Sequence, residues 1–358
     1  MPGRPTMRDV ANAAGVSLMT VSRVVAGEPR VAPGTAAKVE KAVRDLGYQR
    51  DDIARNLRIK DRTTSTIGLV LDDLANPFFA VMARAVEDEA RRQGYLVLVG
   101  STNDEIRRER EVVSAFCARH VDGLIVVPTA GSHAFLSGRM RSGTKVVCVD
   151  RPAKGLDVDT VTIDNQDGAR RAVAHLLDHG HSRIAFLGDR EDIWTQQERY
   201  SGYTQALSSR GVREEPSLVR HGLRARADAH AAVVELMDLP NPPTAVFTSN
   251  DLITMGVVEG LSRLARTAPG SGAAGAASAA SAAAAAGVAL VGFDDVALAD
   301  QLNPPLTVVS QDPAAMGTSA ASLLFSRIEG STSPPRSVVL MTRLVVRGSG
   351  EVRPTVRS

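Results

Sequence analysis

The chain has 358 residues, 44% hydrophobic and 23% charged, which is enough for two or three domains with apolar cores. Its two cysteines stand in apolar stretches, which argues against a disulfide framework or a zinc site. Neither a signal peptide nor a membrane-spanning run is predicted, so we expect a cytoplasmic protein.

Charge is distributed unevenly along the chain. Residues 1–62 contain twelve lysines and arginines against seven acidic residues, a net charge of +5, whereas the remainder carries −3. A basic segment attached to a mildly acidic body suggests that the segment meets a polyanion such as nucleic acid. A solvated charged face would have the same composition, so this interpretation needs support from motifs.

The basic segment begins with three predicted helices. Thr6 precedes MRDVANAAG and has Asp9 three residues later, which is typical of a capping box. Gly15 ends this helix where a left-handed residue is favoured, and Ser17 can cap the next helix, within GVSLMTVSRVVAG. A third helix is predicted over residues 34–46. Helix, glycine turn and helix form the helix-turn-helix arrangement, whose second helix enters the DNA major groove.

The second predicted helix carries unusual side chains at its tip. Leu18 and Met19 are large and apolar at the first turn, and Arg23 follows about one turn later. Apolar side chains there can pack on thymine methyl groups, while a guanidinium can bond a guanine bidentately. Leu18 and Met19 could instead belong to a core or a protein interface. The complete three-helix pattern favours contact with DNA.

Residues 51–62 form a second basic stretch. Ile53, Ala54 and Leu57 recur at helical spacing among four basic residues, a pattern that passive linkers rarely have. A short basic helix with a protruding leucine fits a minor-groove wedge, in which the side chain enters between base steps and unstacks them. We therefore predict a hinge helix here.

The remaining chain alternates strand-like and helix-like stretches, which predicts parallel sheets covered by helices on both faces. Nine strand-like runs, with a break near residue 160, fit two doubly wound lobes better than one sheet. Helical stretches such as 80–93, 168–177 and 254–264 lie between them. Ligands bind beyond the carboxyl ends of strands in such sheets. The polar residues at these ends are Asp72, Asp73, Asp150, Asp164, Asp189, Asn250, Asp251 and Asp294.

These motifs together resemble the lactose-repressor (LacI/GalR) family of bacterial transcription regulators. The first matching motifs along the chain are TMRDVANAAGVSLMTVSRVVAG, VEKAVRDLGYQRDDIARNLR and TIGLVLDDLANPFFA. The later motifs follow in the family's order and spacing. They are VDGLIVVP, TIDNQDGARRAVAHLLDHGHSRIAFLGD, PTAVFTSNDLITMGV, ALVGFDD and LTVVSQDPAAMG. The resemblance covers nearly the whole chain, which makes it far more specific than any single motif.

The resemblance implies an all-α helix-turn-helix head and an α/β body of the periplasmic-binding-protein-like type I fold, with two doubly wound parallel-sheet lobes. The head would be residues 1–50, a hinge helix and linker 51–62, and the body 63–358. Lobe 1 would comprise about 66–163 and 311–341, and lobe 2 about 164–309 and 342–358.

The resemblance also implies a small-molecule effector between the lobes. Carboxylates, an arginine and an amide that converge can bond vicinal hydroxyls, and an aromatic ring can stack on a sugar's C–H face, so a sugar is favoured. A purine or another non-sugar corepressor is the alternative, because relatives include induced and corepressed members. Some alternatives stay open: Phe79 could be a core residue and Asp294 could cap a turn. Trp194 is a weaker candidate for effector contact. The residues expected to contact the effector are Phe78, Phe79, Asp150, Thr195, Arg199, Asn250 and Asp294.

The family works as two-fold pairs, so we expect a homodimer on a pseudo-palindromic operator in double-stranded DNA. No leucine heptads occur near the C-terminus, so a coiled-coil tetramer is not expected. The residues expected to contact DNA are Thr6, Ser17, Leu18, Met19, Thr20, Ser22, Arg23, Ala54, Arg55, Leu57 and Arg58.

Three features depart from the family's pattern. Ala26 stands where many relatives have asparagine, and Gln49-Arg50 stands where a proline is common. An Ala/Gly/Ser-rich insertion occupies about residues 267–286, where the family has a short turn, and we assign it no function. It contains GSGAAG, which matches the dinucleotide fingerprint literally but lacks the preceding strand and following helix.

Two other classes of protein fit the sequence less well. An enzyme of sugar metabolism would need a nucleophile–base set, a metal cluster or a phosphate loop, and the sequence lacks HExxH, GxSxG and GxxxxGK. A periplasmic solute receptor would share the body but would need a secretion signal and would not use a basic helix-turn-helix. We therefore expect no catalysis, no cofactor, no metal and no membrane partner.

Overall fold

The structure, a computed structural model, describes residues 5–25, 31–48, 64–267 and 287–354. The chain divides into two compact units, Met1–Thr64 and Ser65–Ser358. Within the described ranges, no helix is both long enough and apolar enough to cross a bilayer.

The first unit consists of short helices around a small apolar core. Val10, Val21 and Val39, one from each helix, are fully buried and pack together. This core holds the helices against one another although each is too short to be stable alone. The helices are α1 (Met7–Ala14), α2 (Leu18–Val25) and α3 (Pro33–Leu46).

Local capping explains where α1 ends and α2 begins. The backbone N–H of Thr6 donates to the Asp9 carboxylate at 2.7 Å, and the Thr6 hydroxyl accepts from the Asp9 backbone at 3.4 Å. Gly15 follows α1 with φ of 64°, a left-handed conformation that glycine adopts without strain. The Ser17 hydroxyl then accepts from the backbone N–H of Thr20 at 3.2 Å. These contacts confirm the predicted capping box, glycine turn and helix start.

The second unit is built from strands and helices in alternation. Its strands are β1 (Thr66–Leu71), β2 (Leu96–Ser101), β3 (Gly123–Val126), β4 (Lys145–Val149), β5 (Asp159–Ile163), β6 (Ile184–Leu187), β7 (Val219–Arg220), β8 (Ala245–Thr248), β9 (Ala289–Phe293), β10 (Thr307–Ser310), β11 (Ser337–Leu340) and β12 (Arg343–Val345). Its helices are α4 (Pro77–Arg92), α5 (Ile106–Ala118), α6 (Ala134–Arg141), α7 (Asn165–Asp178), α8 (Trp194–Ser209), α9 (Arg226–Met237), α10 (Asp251–Thr267) and α11 (Pro313–Ile328). Short 3₁₀ turns lie at Pro216–Leu218, Ala299–Gln301 and Ser349–Glu351.

The described strands form two six-stranded sheets, one in each lobe. The first has the order β11-β5-β4-β3-β1-β2, and all of its pairs are parallel. The second has the order β12-β10-β9-β8-β6-β7, in which β12 runs antiparallel to β10. Two parallel-sheet lobes behind a helix-turn-helix unit confirm the predicted fold class.

All nine predicted strands are present, and three more lie at sheet edges. β7 is only two residues long, and β11 alternates between exposed and half-buried positions. Edge strands lack the continuous apolar run that marks a strand buried on both faces, so the sequence pattern does not reveal them.

The apolar periodicity placed several helix starts three residues too late. α4, α7 and α10 begin at Pro77, Asn165 and Asp251, because the first turn of each carries polar or cleft-lining side chains outside the apolar stripe. Asn76 marks the true start of α4, since its side-chain oxygen accepts the backbone N–H of Phe78 at 2.8 Å.

The chain crosses between the lobes after β5, β10 and β11. Asp164, in the first crossing, accepts the backbone N–H of Thr342, in the third crossing, at 2.6 Å. Arg171 of α7 reaches both residues, at 3.0 Å from the Asp164 carboxylate and 2.6 Å from the Thr342 hydroxyl. Asp164 therefore fastens two crossings together.

Close helix packing supports the second lobe. α7 and α8 meet at Gly202, where an added Cβ would lie 2.2 Å from the backbone oxygen of Gln166. Only glycine allows the two backbones to approach this closely without displacement of one helix.

Replacing Gly202 with alanine is expected to lower the free energy of unfolding by about 1–3 kcal/mol, because the methyl group overlaps the α7 backbone. Gly138→Ala in α6 is the matched control, since the nearest atom to its added Cβ would be an arginine side-chain nitrogen 3.9 Å away. That control is expected to raise stability by about 0.5–1 kcal/mol. Urea unfolding followed by circular dichroism measures both changes, and equal effects would contradict the close approach at Gly202.

Candidate functional site

A cavity of about 480 Å³ lies between the two lobes, where the carboxyl ends of the strands face each other. Strand ends and the first turns of α4, α8 and α10 supply its wall. The structure brings together in this wall every effector candidate from the sequence: Phe78, Phe79, Asp150, Thr195, Arg199, Asn250 and Asp294.

Seven of the eight polar strand-end residues line the cavity, and Asp164 does not. Asp164, which was not among the expected effector contacts, bonds the crossing segments instead. Trp194 also lies outside this wall.

Two aspartates occupy corresponding positions in the two lobes. Asp150 follows β4 and Asp294 follows β9, with φ of 73° and 74°. Their backbone N–H groups donate at 2.9 Å to Val161 and Val309 of the neighbouring strands. A left-handed backbone is costly for a residue with a side chain and tends to occur at functional positions. The repeated conformation turns both carboxylates toward the cavity region.

The guanidinium of Arg199 lies in the second lobe's part of the wall and is only 5% exposed. Its Nε donates to Asn165 Oδ1 at 2.8 Å and its Nη1 to the backbone oxygen of Ser249 at 2.5 Å. The Asp294 carboxylate lies 3.8 Å from Nη1, and the guanidinium carbon stacks 3.8 Å from the centre of the Phe293 ring. These contacts fix the guanidinium in one orientation.

Arg151 occupies the corresponding part of the first lobe. Its Nε lies 2.9 Å from the Asp150 carboxylate and its Nη1 3.4 Å from Asp104. Burial acts to lower the pKa of Arg151, but the carboxylates of Asp150 and Asp104 raise it overall. Arg151 therefore lines the cavity as a charged residue whose charge is balanced by the neighbouring carboxylates.

Side chains connect the two lobes directly across the cleft. Arg190 Nη1 lies 3.2 Å from the Asp104 carboxylate, and Arg224 donates to the backbone oxygen of Asn103 at 3.1 Å. The amide of Asn76 donates to Asp251 at 3.2 Å. These contacts hold the lobes in a closed arrangement around the cavity.

Burial dominates the electrostatics of the acidic residues. It raises the pKa of Asp294 and of Asp104 to about 6, and it also raises the pKa values of Asp72, Asp189 and Asp251. Burial lowers the pKa of Arg199, although Asp294 opposes that shift. Carboxyl groups outnumber arginines in the wall, so the cavity suits a neutral ligand with hydrogen-bond donors better than an anion.

The remaining wall provides aromatic and amide contacts. The rings of Phe78 and Phe79 meet edge to face with centres 5.0 Å apart. Phe79 is also part of the core of the body, so it lines the cavity and packs in the core at the same time. The Asn250 side-chain oxygen caps α10 by accepting the backbone N–H of Ile253 at 2.9 Å. The NH₂ group of Asn250 therefore points away from this cap.

Several wall residues were not singled out from the sequence. Most of them adjoin an identified residue or occupy the first turn of a helix, so a search of the residues beside each strand end could have found them. They are Asn76, Asn103, Glu105, Arg151, Ile193, Gln196, Arg224, Ser249, Leu252 and Gln311.

The helix-turn-helix unit presents a second candidate surface. Leu18 and Met19 are 47% and 65% exposed at the start of α2, so the alternative that they belong to a core of this unit is wrong. Thr6, Ser17, Ser22 and Arg23 are exposed as well, and Thr20 is half-buried. The hinge candidates Ala54, Arg55, Leu57 and Arg58 lie outside the described residues.

A helix-turn-helix unit joined to a two-lobed body with an interlobe cavity defines a ligand-responsive DNA-binding protein. Residues 6–51 match the model for bacterial regulatory proteins of the lacI family. Residues 64–346 match the model for periplasmic binding proteins and the sugar binding domain of the LacI family. The chain belongs to the LacI family; it is a DNA-binding transcription regulator and not an enzyme.

Individual relatives agree with this assignment. The chain is 30% identical to the HTH-type transcriptional repressor CytR of Escherichia coli strain K12, over 98% of this chain and 97% of that protein. It is 32% identical to the HTH-type transcriptional regulator CelR of Thermobifida fusca, over 97% of this chain and 98% of that protein.

Solved structures share the fold along the chain. A transcriptional regulator CelR–cellobiose complex matches with a TM-score of 0.68 and 31% identity, over 97% of this chain and all of that one. The lac repressor dimer bound to operator and the anti-inducer ONPF matches with a TM-score of 0.79 and 24% identity, over 97% and 99% of the two chains. The second match shows the fold alone.

Arg199→Lys is expected to lower the free energy of unfolding by about 1.5–3 kcal/mol, because an ammonium cannot reach Asn165 and Ser249 together or stack on Phe293. The matched control is Arg226→Lys, whose parent side chain is 53% exposed and lies 3.9 Å from Glu259. Its effect is expected to stay below about 0.5 kcal/mol. Urea titration of both variants measures the difference, and indistinguishable midpoints would contradict the structural role given to Arg199.

Proposed function

We propose that the chain is a homodimeric repressor whose operator affinity falls when a neutral carbohydrate occupies the interlobe cavity. The convergence of all seven sequence-predicted effector candidates in one cavity supports this function most strongly. The protein acts in the cytoplasm, where the bacterial chromosome lies.

The exposed tip of α2 would read the operator. Leu18 and Met19 pack on thymine methyl groups in the major groove, and Arg23 bonds a guanine edge. The hydroxyl-bearing residues Thr6, Ser17, Thr20 and Ser22 contact phosphates, which set orientation rather than sequence preference. The hinge segment binds in the minor groove through Ala54, Arg55, Leu57 and Arg58. Leu57 inserts between base steps as the wedge.

The charges of the cavity support a carbohydrate as effector. Arg151 and Arg199 are already paired with carboxylates, so an anionic ligand would find no free cation at either position and would face several acidic groups. Hydroxyl groups can donate to those carboxylates, and the Phe78 and Phe79 rings offer an apolar wall for C–H groups. The solved structure of the 31% identical regulator CelR is a complex with cellobiose, which favours the same ligand class.

Exposed apolar residues support a dimer through the first lobe. Val81 on α4 and Leu96 and Val99 on the neighbouring edge strand β2 are 46%, 73% and 40% exposed. Apolar side chains grouped on one edge are typical of a protein interface. A dimer places two DNA-reading units on a two-fold operator.

Closure of the lobes would couple the two sites. In a dimer, motion at the cleft moves the two hinge segments relative to each other, so a ligand that separates them withdraws the minor-groove wedge. By linkage, the ligand's preference for the separated state equals the loss in operator affinity, typically about 1–3 kcal/mol. We infer induction by the carbohydrate rather than corepression.

Arg23→Ala is expected to weaken binding to a selected operator by about 1–3 kcal/mol and to relax the base preference at one position in each half-site. Lys41→Ala is the matched control, because Lys41 pairs with Asp45 on α3, outside the proposed reading helix. Fluorescence anisotropy with operator and random duplexes measures both variants. An equal loss on the two duplexes for Arg23→Ala would contradict base reading.

The proposed function as a whole can be tested by selection from genomic DNA. Fragments retained by the protein should share a pseudo-palindrome, and their neighbouring genes should indicate the carbohydrate to examine. That carbohydrate should release the fragments at constant salt. Retention without any shared sequence would contradict the operator, and tighter retention with the carbohydrate would contradict induction.

A further inference from the structure

A groove of about 640 Å³ lies beside the effector cavity, also between the lobes. The first lobe supplies the segments 129–131 and 151–154, and the second lobe supplies Asp192, Trp194 and Gln197. Trp194 is a weaker effector candidate from the sequence, and the proposed function does not use the groove.

Cavity and groove meet at Arg151, which lines both. The start of α8 also borders both spaces, because Ile193 and Thr195 line the cavity while Asp192 and Trp194 line the groove. The groove therefore adjoins the cavity along the cleft.

Within the described part of the chain, three side chains of the groove lack a contact that their chemistry favours: a hydrogen bond, an ion pair or a ring stack. The hydroxyl of Thr129, a residue only 5% exposed, has no hydrogen-bond partner. Lys154 forms no ion pair, and the Trp194 ring stacks on no other aromatic ring. A buried hydroxyl without a partner costs free energy, so a ligand that supplies one would be stabilised there.

The wall that carries Thr129 is held rigidly from behind. The fully buried carboxylate of Glu109 accepts the backbone N–H of Thr129 at 2.7 Å and lies 3.1 Å from His133 Nε2. The backbone N–H of His133 donates to the carbonyl of Lys154 at 3.0 Å, which ties the two groove segments together. A wall fixed in advance loses little conformational freedom on binding.

We propose that this groove is a second sugar subsite, and that the effector is a disaccharide or longer neutral oligosaccharide. One sugar unit lies in the cavity and the next passes Arg151 into the groove. There the Trp194 indole stacks on its C–H face, and Thr129 and Lys154 bond its hydroxyls. Arg151, Lys154 and Asp192 line the groove, and Arg151 and Asp192 are already paired with Asp150 and Arg190. The ammonium of Lys154 is therefore available to donate to a sugar hydroxyl. This inference rests on the proposed carbohydrate effector and specifies its length.

Titration calorimetry of the full chain with paired sugars tests the subsite. The probes are glucose with cellobiose and maltose, galactose with lactose, and xylose with xylobiose. At least one disaccharide should bind about tenfold or more tightly than its component monosaccharides. Because the chain has a single tryptophan, that disaccharide should also change the emission of Trp194, and the monosaccharide should not.

Substitutions separate the groove from the cavity. Trp194→Ala should reduce disaccharide affinity to about the monosaccharide level, while Trp194→Phe, which keeps a ring, should retain most of it. Thr129→Val should weaken the disaccharide by about fivefold, the cost of one hydrogen bond, and Tyr200→Phe on α8 serves as a control outside the groove. Thermal unfolding of each variant identifies any loss of fold.

The possible failures are distinguishable. A monosaccharide that binds as tightly as every oligosaccharide would overturn the subsite and leave the carbohydrate effector standing. Equal loss of mono- and disaccharide affinity in the folded Trp194→Ala variant would overturn it as well. Binding of no sugar in the panel would overturn this proposal together with the proposed effector class, while DNA binding would stand or fall separately.

Discussion

The cleft is organised by the need to bury the guanidinium of Arg199 without leaving its charge unpaired. A lone buried charge costs several kcal/mol, so hydrogen-bond acceptors and a carboxylate must lie at fixed places around it. Asn165, Ser249 and Asp294 meet this need from three separate elements of the second lobe. Carboxyl groups still outnumber arginines in the cavity wall, which favours a neutral ligand with hydrogen-bond donors over an anion.

The same requirement is repeated at Arg151 in the first lobe, where Asp150 and Asp104 supply the carboxylates. Asp104 also contacts Arg190 of the second lobe, so neutralisation of one arginine contributes to closure of the cleft. Asp164 fastens two of the crossing segments at the base of the lobes. Ion pairs therefore connect the lobes at the cleft, and hydrogen bonds connect the segments that cross between them.

The parts of the structure that depend on local chemistry were predictable. The Thr6 capping box, the Gly15 turn and the Ser17 cap are properties of a few adjacent residues, and the structure shows each of them. The strand-end rule likewise identified seven residues of the cavity wall. The bond between Asp164 and Thr342 was not predictable, because Thr342 lies 178 residues away at another crossing and no local sequence pattern indicates the contact. The groove beside Trp194 was missed for the same reason, since its two walls come from different lobes.

The central claim is that carbohydrate binding and operator binding are reciprocally coupled. The most direct test measures carbohydrate affinity with and without operator DNA, and operator affinity with and without that carbohydrate, in one buffer. The account predicts that each ligand weakens the other by the same factor, about 5- to 150-fold. A carbohydrate whose binding is lost in a folded Asp150→Asn variant, yet whose presence leaves operator affinity unchanged, would contradict the account.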